Sequence, residues 1–246
     1  MAYMQDKIIR SFSASAATYD QEAWIQHEVS DLLFNFTATH LTWEPEVILD
    51  LGCGTGWLAK RAHQHFQTST ILAADISLQM LQEVHPLFKI HCVAMDAEFP
   101  AIAAEPLLVM SNMTLQWLPD LAKTLNSYKK ICKGIGFSIP LAPSFDEWHQ
   151  WCEKNGAQSM TNKLHSAQSL STICQSLSPH RFHIETHDMF VPLARPVDFP
   201  LSLKKIGANV SLEPYPLNPF QLLNARKIDP AFKGVTYHIG HIYMDF

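Results

Sequence analysis

Eight residues, Leu49-Asp50-Leu51-Gly52-Cys53-Gly54-Thr55-Gly56, constrain this chain more than any other stretch. Three of its nine glycines fall within five positions, directly after the apolar run Val47-Ile48-Leu49 and directly before the helix-like Trp57-Leu58-Ala59-Lys60-Arg61-Ala62. A short apolar run that ends in glycines reads as a buried parallel strand turning sharply into a helix. Glycine is needed where backbone turns with positive φ or lies against a ligand, because a Cβ there would clash. The turn therefore predicts an α/β fold that holds a nucleotide-like molecule.

A dinucleotide-binding turn of the form G-x-G-x-x-G places glycine at its sixth position, where this chain has Trp57. The pattern is instead Asp50-x-Gly52-x-Gly54-x-Gly56, with an acid two positions before the first glycine. It resembles motif I of the class I S-adenosylmethionine-dependent methyltransferases. Asp75 closes the apolar stretch Ile71-Leu72-Ala73-Ala74, 21 residues beyond Gly54. A carboxylate there can accept both ribose hydroxyls, a device that NAD sites share. Asp96, after Ile90-His91-Cys92-Val93-Ala94-Met95, is a third strand-end acid. By the same resemblance it meets the adenine amino group.

With 246 residues, 47% hydrophobic and 17% charged, the chain can bury a full core as a single domain. Five cysteines, an odd number without paired spacing, do not form a disulfide framework and suit a reducing compartment. Cys53 sits in the glycine turn, and the other four read as small core hydrophobes. The opening residues carry no apolar signal segment and no apolar run reaches membrane-spanning length, so a cytoplasmic protein without membrane contact is expected. A net charge of −5 argues against a general nucleic-acid binder. The thirteen histidines suggest no metal site: on a strand His183 and His187 share a face that His180 does not.

The organisation is that of a doubly wound sheet with additions. A helix with apolar spacing over 21–36 precedes strands expected at 46–51, 70–75, 90–95 and 106–111. A helix over 118–131 leads to a fifth strand near 136–140, and late strands fit 182–187 and 235–245. Residues 189–234 hold seven of the fifteen prolines and break the rhythm. The expected plan is an N-terminal helical cap (1–45), a cofactor-binding core (46–140), substrate-covering segments (141–180 and 189–234) and a last strand (235–246). The fold class is Rossmann-like, a seven-stranded, mostly parallel sheet with helices on both faces.

Three further stretches narrow the resemblance. Ile9-Arg10-Ser11-Phe12-Ser13-Ala14-Ser15-Ala16-Ala17-Thr18-Tyr19-Asp20 with Gln26, Ser111-Asn112-Met113-Thr114-Leu115-Gln116-Trp117, and Leu203-Lys204-Lys205-Ile206-Gly207-Ala208-Asn209 resemble the biotin-pathway malonyl-acyl-carrier-protein O-methyltransferases, the BioC family. Tyr237-His238 fits as well. The resemblance covers nearly the whole chain. It implies methyl transfer from S-adenosylmethionine to the free carboxylate of malonyl carried by acyl carrier protein or coenzyme A.

The same resemblance implies site roles. Asp50, Gly52, Gly54 and Gly56 shape the turn around the methionine part of the cofactor, Asp75 takes the ribose, and Asp96 with Ala97 the adenine. Asn112 joins the cofactor set, while Ile76 and Met80 pack either on adenine or in the ordinary core. Tyr19 closes over the donor methyl and the substrate carboxylate as the catalytic residue, or else anchors the terminus as a helix-flanking aromatic. Phe12, Gln116, Trp117, Lys163 and Lys204 form the substrate set. Where many members carry Asn-Arg-Phe this chain has Asn162-Lys163-Leu164, a point charge in place of a bidentate fork. Lys204, Lys205, Arg226 and Lys227 are alternatives that meet an acidic carrier protein. A quinone or small-acid methyltransferase and a non-catalytic cofactor-binding assembly factor remain the competing functions.

Overall fold

Alternating apolar side chains along the strands decide how the layers stack. The computed structural model describes residues 2–84 (side chains from Gln5 onward), 90–102, 107–211 and 225–246. In it β1 (Val47–Leu51) runs between β2 (Thr70–Asp75) and β4 (Leu107–Asn112), parallel to both. β3 (Ile90–Ala94) lies outside β2, and β5 (Gly134–Leu141) beside β4, again parallel. β6 (Arg181–Pro192) and β7 (Gly234–Asp245) are antiparallel additions, giving the order β3-β2-β1-β4-β5-β7-β6. This is the seven-stranded, mostly parallel sheet that the sequence predicts.

Successive side chains on a strand point to opposite faces. Ile48, Ile71, Ala73, Leu108 and Met110 pack with Leu33 and Phe34 of α3 (Trp24–His40) and Leu58 and Ala62 of α4 (Trp57–His65). Leu49, Leu51, Val109, Ile135 and Phe137 pack with Leu125 and Tyr128 of α6 (Leu121–Lys129) and Leu170 and Cys174 of α8 (Ala167–Ser176). Each buried Leu, Ile or Phe contributes about 1.5–3 kcal/mol, which holds helices to both faces. Because β7 is antiparallel to β5, with Leu141 opposite His238, residues 235–237 lie beyond the carboxyl end of β5. There Val235 and Tyr237 pack with Phe145, with Trp148 and Trp151 of α7 (Asp146–Lys154) and with Phe199 of α9 (Asp198–Lys205). Within 141–180, then, α7 builds on the strand ends while α8 joins the flanking layer.

Several boundaries differ from the sequence expectation for physical reasons. The helix expected over 21–36 starts at Trp24 and runs to His40; α2 (Tyr19–Glu22) precedes it, and the fully buried Ala23 leaves helical geometry between them (φ −90°, ψ 32°). The helix expected over 118–131 begins at Leu121. Pro119 holds Leu118 extended (ψ 138°), and Asp120 caps the helix by accepting from Lys123 N at 2.9 Å. β5 begins at Gly134, which pairs with both Leu108 and Asp245. The strand expected over 182–187 extends to Pro192 because β7 offers partners from Asp245 to Gly234. Residues 189–192 of the proline-rich tract therefore belong to the sheet, and 212–224 lie outside the described residues. Cys53, Cys132, Cys152 and Cys174 are buried, but Cys92 is exposed because β3 is an edge strand. Among the described residues no helix is long and apolar enough to cross a membrane.

Candidate active site

The chain winds outward from β1 to β2 and β3 on one side, and through β4 and β5 on the other. Open α/β sheets take ligands at the carboxyl ends of strands where the order reverses in this way. A cavity of about 450 Å³ lies there, lined by the glycine turn, the ends of β2, β3 and β4, and α1 (Ala2–Ser15).

The turn is built as the sequence suggests. Gly52 has φ +70°, and a Cβ on it would sit 2.2 Å from Thr114 Cγ2, so the position excludes any side chain. Thr114 Oγ1 in turn donates to Gly52 O at 3.1 Å, tying the turn to the segment after β4. Beneath the turn Asp50 is 1% exposed, and its Oδ2 accepts from Ala59 N at 2.8 Å, fastening the first turn of α4. Burial pushes its carboxyl up to about 7. Asp75 accepts from Gly54 N at 2.9 Å through Oδ2 and from Ser77 N at 2.8 Å through Oδ1. Burial raises its pKa, and these backbone donors oppose the rise. Asp96 accepts from Glu98 N at 2.9 Å and from the Gln5 side-chain amide of α1.

A second cavity of about 210 Å³ adjoins the first and is walled by Phe145, Trp148, Trp151, Phe199, Leu203 and Tyr237. Phe12, Tyr19, Gln26, Met113 and Trp117 line both cavities. Phe12 and Trp117 meet edge to face with ring centroids 5.6 Å apart. The Tyr19 phenol is held protonated, first by burial and then by the neighbouring Asp75 and Asp20 charges. Asn112 Nδ2 donates to Gln26 O at 2.9 Å and its Oδ1 accepts from Ser138 Oγ at 2.6 Å, which fixes α3 against the ends of β4 and β5.

Of the residues that the sequence nominates, Asp50, Gly52, Gly54, Asp75, Ile76, Met80, Asp96, Ala97 and Asn112 line the first cavity. Gly56 does not. It is the left-handed residue (φ +83°) from which α4 starts, with Val84 side-chain carbons 3.1 Å from where its Cβ would stand. Gln116 lines the second cavity; its Nε2 donates to Met113 O at 2.6 Å, and its buried Oε1 has no partner. Lys163 and Lys204 line neither cavity. Asn162 and Leu164 turn inward and leave Lys163 exposed between them, and Lys204 is exposed on α9 beside the inward-facing Leu203. Sequence reasoning assigned no roles to Gln5, Ile8 and Ile9 of α1 or to Gln26. Gln26 did leave a signal, a polar residue inside the buried stripe Ile25, Val29 and Leu33. Among the described residues no group of three or more His, Cys, Asp or Glu is placed to hold a metal ion.

Residues 48–136 match a family model described as a methyltransferase domain. A malonyl-acyl-carrier-protein O-methyltransferase of Hahella chejuensis is 38% identical, in an alignment covering 96% of this chain and 88% of that protein. The YcgJ protein of Bacillus subtilis superposes with a TM-score of 0.59 at 11% identity, covering 89% of this chain and 98% of its own. An S-adenosylmethionine-dependent methyltransferase of Thermotoga maritima superposes with a TM-score of 0.55 at 15% identity, covering 97% and 99%. At such identities the two structures speak for the fold alone.

Proposed function

This chain belongs to the malonyl-acyl-carrier-protein O-methyltransferase family, and from that membership we propose that it methylates the free carboxylate of malonyl held on an acyl carrier protein. The methyl donor is S-adenosylmethionine, which when bound supplies an electrophilic methyl group on a positively charged sulfur. The ester hides the charge, so that chain elongation can treat the malonyl group as an ordinary primer for pimeloyl in biotin synthesis.

The first cavity fits that donor. Each Asp75 oxygen takes one backbone N–H and retains a lone pair for a ribose hydroxyl. Asp96 already accepts an amide N–H from Gln5, the kind of donor that the adenine amino group also is. Gly52 and Gly54 would lie against the methionine part.

The observation that carries the reaction assignment is the junction of the two cavities. The five residues that line both include no carboxylate, histidine or lysine. A junction without a base suits a nucleophile that needs none: a carboxylate has an ordinary pKa of about 4 and is ionised near neutrality. Rate then comes from alignment, for which effective molarities reach roughly 10⁵–10⁸ M, and Tyr19 and Phe12, which line the junction, would shield it from water.

An acyl carrier protein, rather than coenzyme A alone, suits the rim. Lys204, Arg226 and Lys227 are exposed beside Leu203 and Ala225, which line the second cavity, and would meet an acidic carrier. Five free cysteines favour a cytoplasmic, reducing setting. Expression in a biotin-requiring strain that lacks its own malonyl methyltransferase tests the reading. Growth without biotin is expected, and a well-expressed protein that fails to restore it contradicts the assignment.

A further inference from the structure

The substrate that this reading implies is an anion, yet the first cavity is lined by acids and the second by neutral side chains. Asp50, Asp75, Asp96 and Glu98 border the first cavity. Among the described residues no lysine or arginine lines either cavity, and of the residues outside that set Lys89 alone is of either type. Three uncharged donors stand where the cavities meet: the Tyr19 hydroxyl, the Gln26 amide and the Trp117 indole N–H. Gln26 is 8% exposed, and none of the three groups has a hydrogen-bond partner among the described residues. Tyr19 and Trp117 are half-buried, so three unpartnered donors line one junction where a ligand's acceptor atoms would satisfy them.

We propose that the substrate carboxylate is received at this junction by Tyr19, Gln26 and Trp117, three neutral donors, and not by a lysine or arginine. The proposal rests on the carboxyl-methylation reading and adds how the carboxylate is recognised. It also has a catalytic reason. Transfer of the methyl forms a carbon–oxygen bond at the carboxylate and breaks the carbon–sulfur bond of the donor, whose electron pair stays on sulfur. The negative and positive charges of the reactants vanish together. A protein cation would stabilise the charged carboxylate more than the partly neutralised transition state and so slow the reaction. Neutral donors give orientation with less of that penalty.

The test titrates malonyl-acyl carrier protein into wild type, Gln26→Ala, Gln26→Glu, Trp117→Phe and Lys163→Ala. Each is saturated with sinefungin, a cofactor analogue that bears an ammonium in place of the methylated sulfur and cannot react. Gln26→Ala and Trp117→Phe should each weaken binding about tenfold by removing one donor to a charged acceptor. Gln26→Glu should weaken it about 100-fold or more through like-charge repulsion, and Lys163→Ala should stay within about twofold. Wild-type circular dichroism and an unfolding midpoint close to that of wild type should certify the fold of each variant. Malonyl affinity unaltered in Gln26→Glu and Trp117→Phe, or a tenfold loss in Lys163→Ala, overturns the proposal. Wild type that binds acetyl and malonyl carrier protein equally defeats the functional reading and this inference with it. Wild type that distinguishes them, alongside Gln26 and Trp117 variants that do so by the same factor as wild type, defeats this inference alone.

Discussion

Asp50 and Asp75 end neighbouring strands, yet their partners give them different duties. Asp50 is buried under the glycine turn with the Ala59 N–H as its one hydrogen bond among the described residues, and burial pushes its carboxyl up to about 7. It fastens α4. Asp75 is anchored by two backbone donors and turns its remaining lone pairs to the cavity. If those lone pairs take the ribose hydroxyls, Asp75→Ala loses charge-assisted hydrogen bonds worth about 1.5–3 kcal/mol each. Cofactor affinity should then fall at least about tenfold in calorimetry with S-adenosylhomocysteine. An unchanged dissociation constant would move the ribose elsewhere.

At the scale of elements, α1 is the part that only the fold can place. It is pinned over the cofactor cavity by Gln5 on Asp96 and by Ser13 Oγ 2.8 Å from Ser77 Oγ, and Gly207, just beyond α9, presses on its end. Gly207 has φ +77°, and a Cβ on it would stand 2.7 Å from Phe12 Cα and 2.8 Å from Ser11 O. Gly207→Ala should therefore push α1 outward. The strain is about 1–3 kcal/mol, visible as a lower Tm together with several-fold weaker S-adenosylhomocysteine binding. Wild-type values for both would mean that α1 is held independently of α9. The strand, turn and helix around Gly52 were legible because positive φ and close approach admit one residue type. Asp75 and Asp96 were legible because strand ends repeat at regular spacing. Contacts such as Gln5 with Asp96 join residues 91 apart and leave no local pattern. Lys163, expected in the substrate set by resemblance, lines neither cavity, and an irregular segment has no periodicity that tells which of its side chains face in. The full length of β6 was hidden too, since its partners are supplied by β7 some fifty residues later.

The whole molecule combines a cofactor cavity at the switch point of a parallel sheet with an aromatic second cavity that the antiparallel extension and α7 and α9 raise beyond β5. Acids line the first cavity, neutral donors hold the junction, and exposed cations flank the second. On the proposed reading, that arrangement would receive a malonyl carboxylate on an acidic carrier and methylate it without a base. The most direct measurement is transfer of a labelled methyl group from S-adenosylmethionine to malonyl-acyl carrier protein, with acetyl-acyl carrier protein beside it. Labelling of the malonyl form alone, with the label released as methanol by mild alkali as an ester requires, is the predicted result. Equal labelling of the acetyl form, or an alkali-stable label, would contradict it.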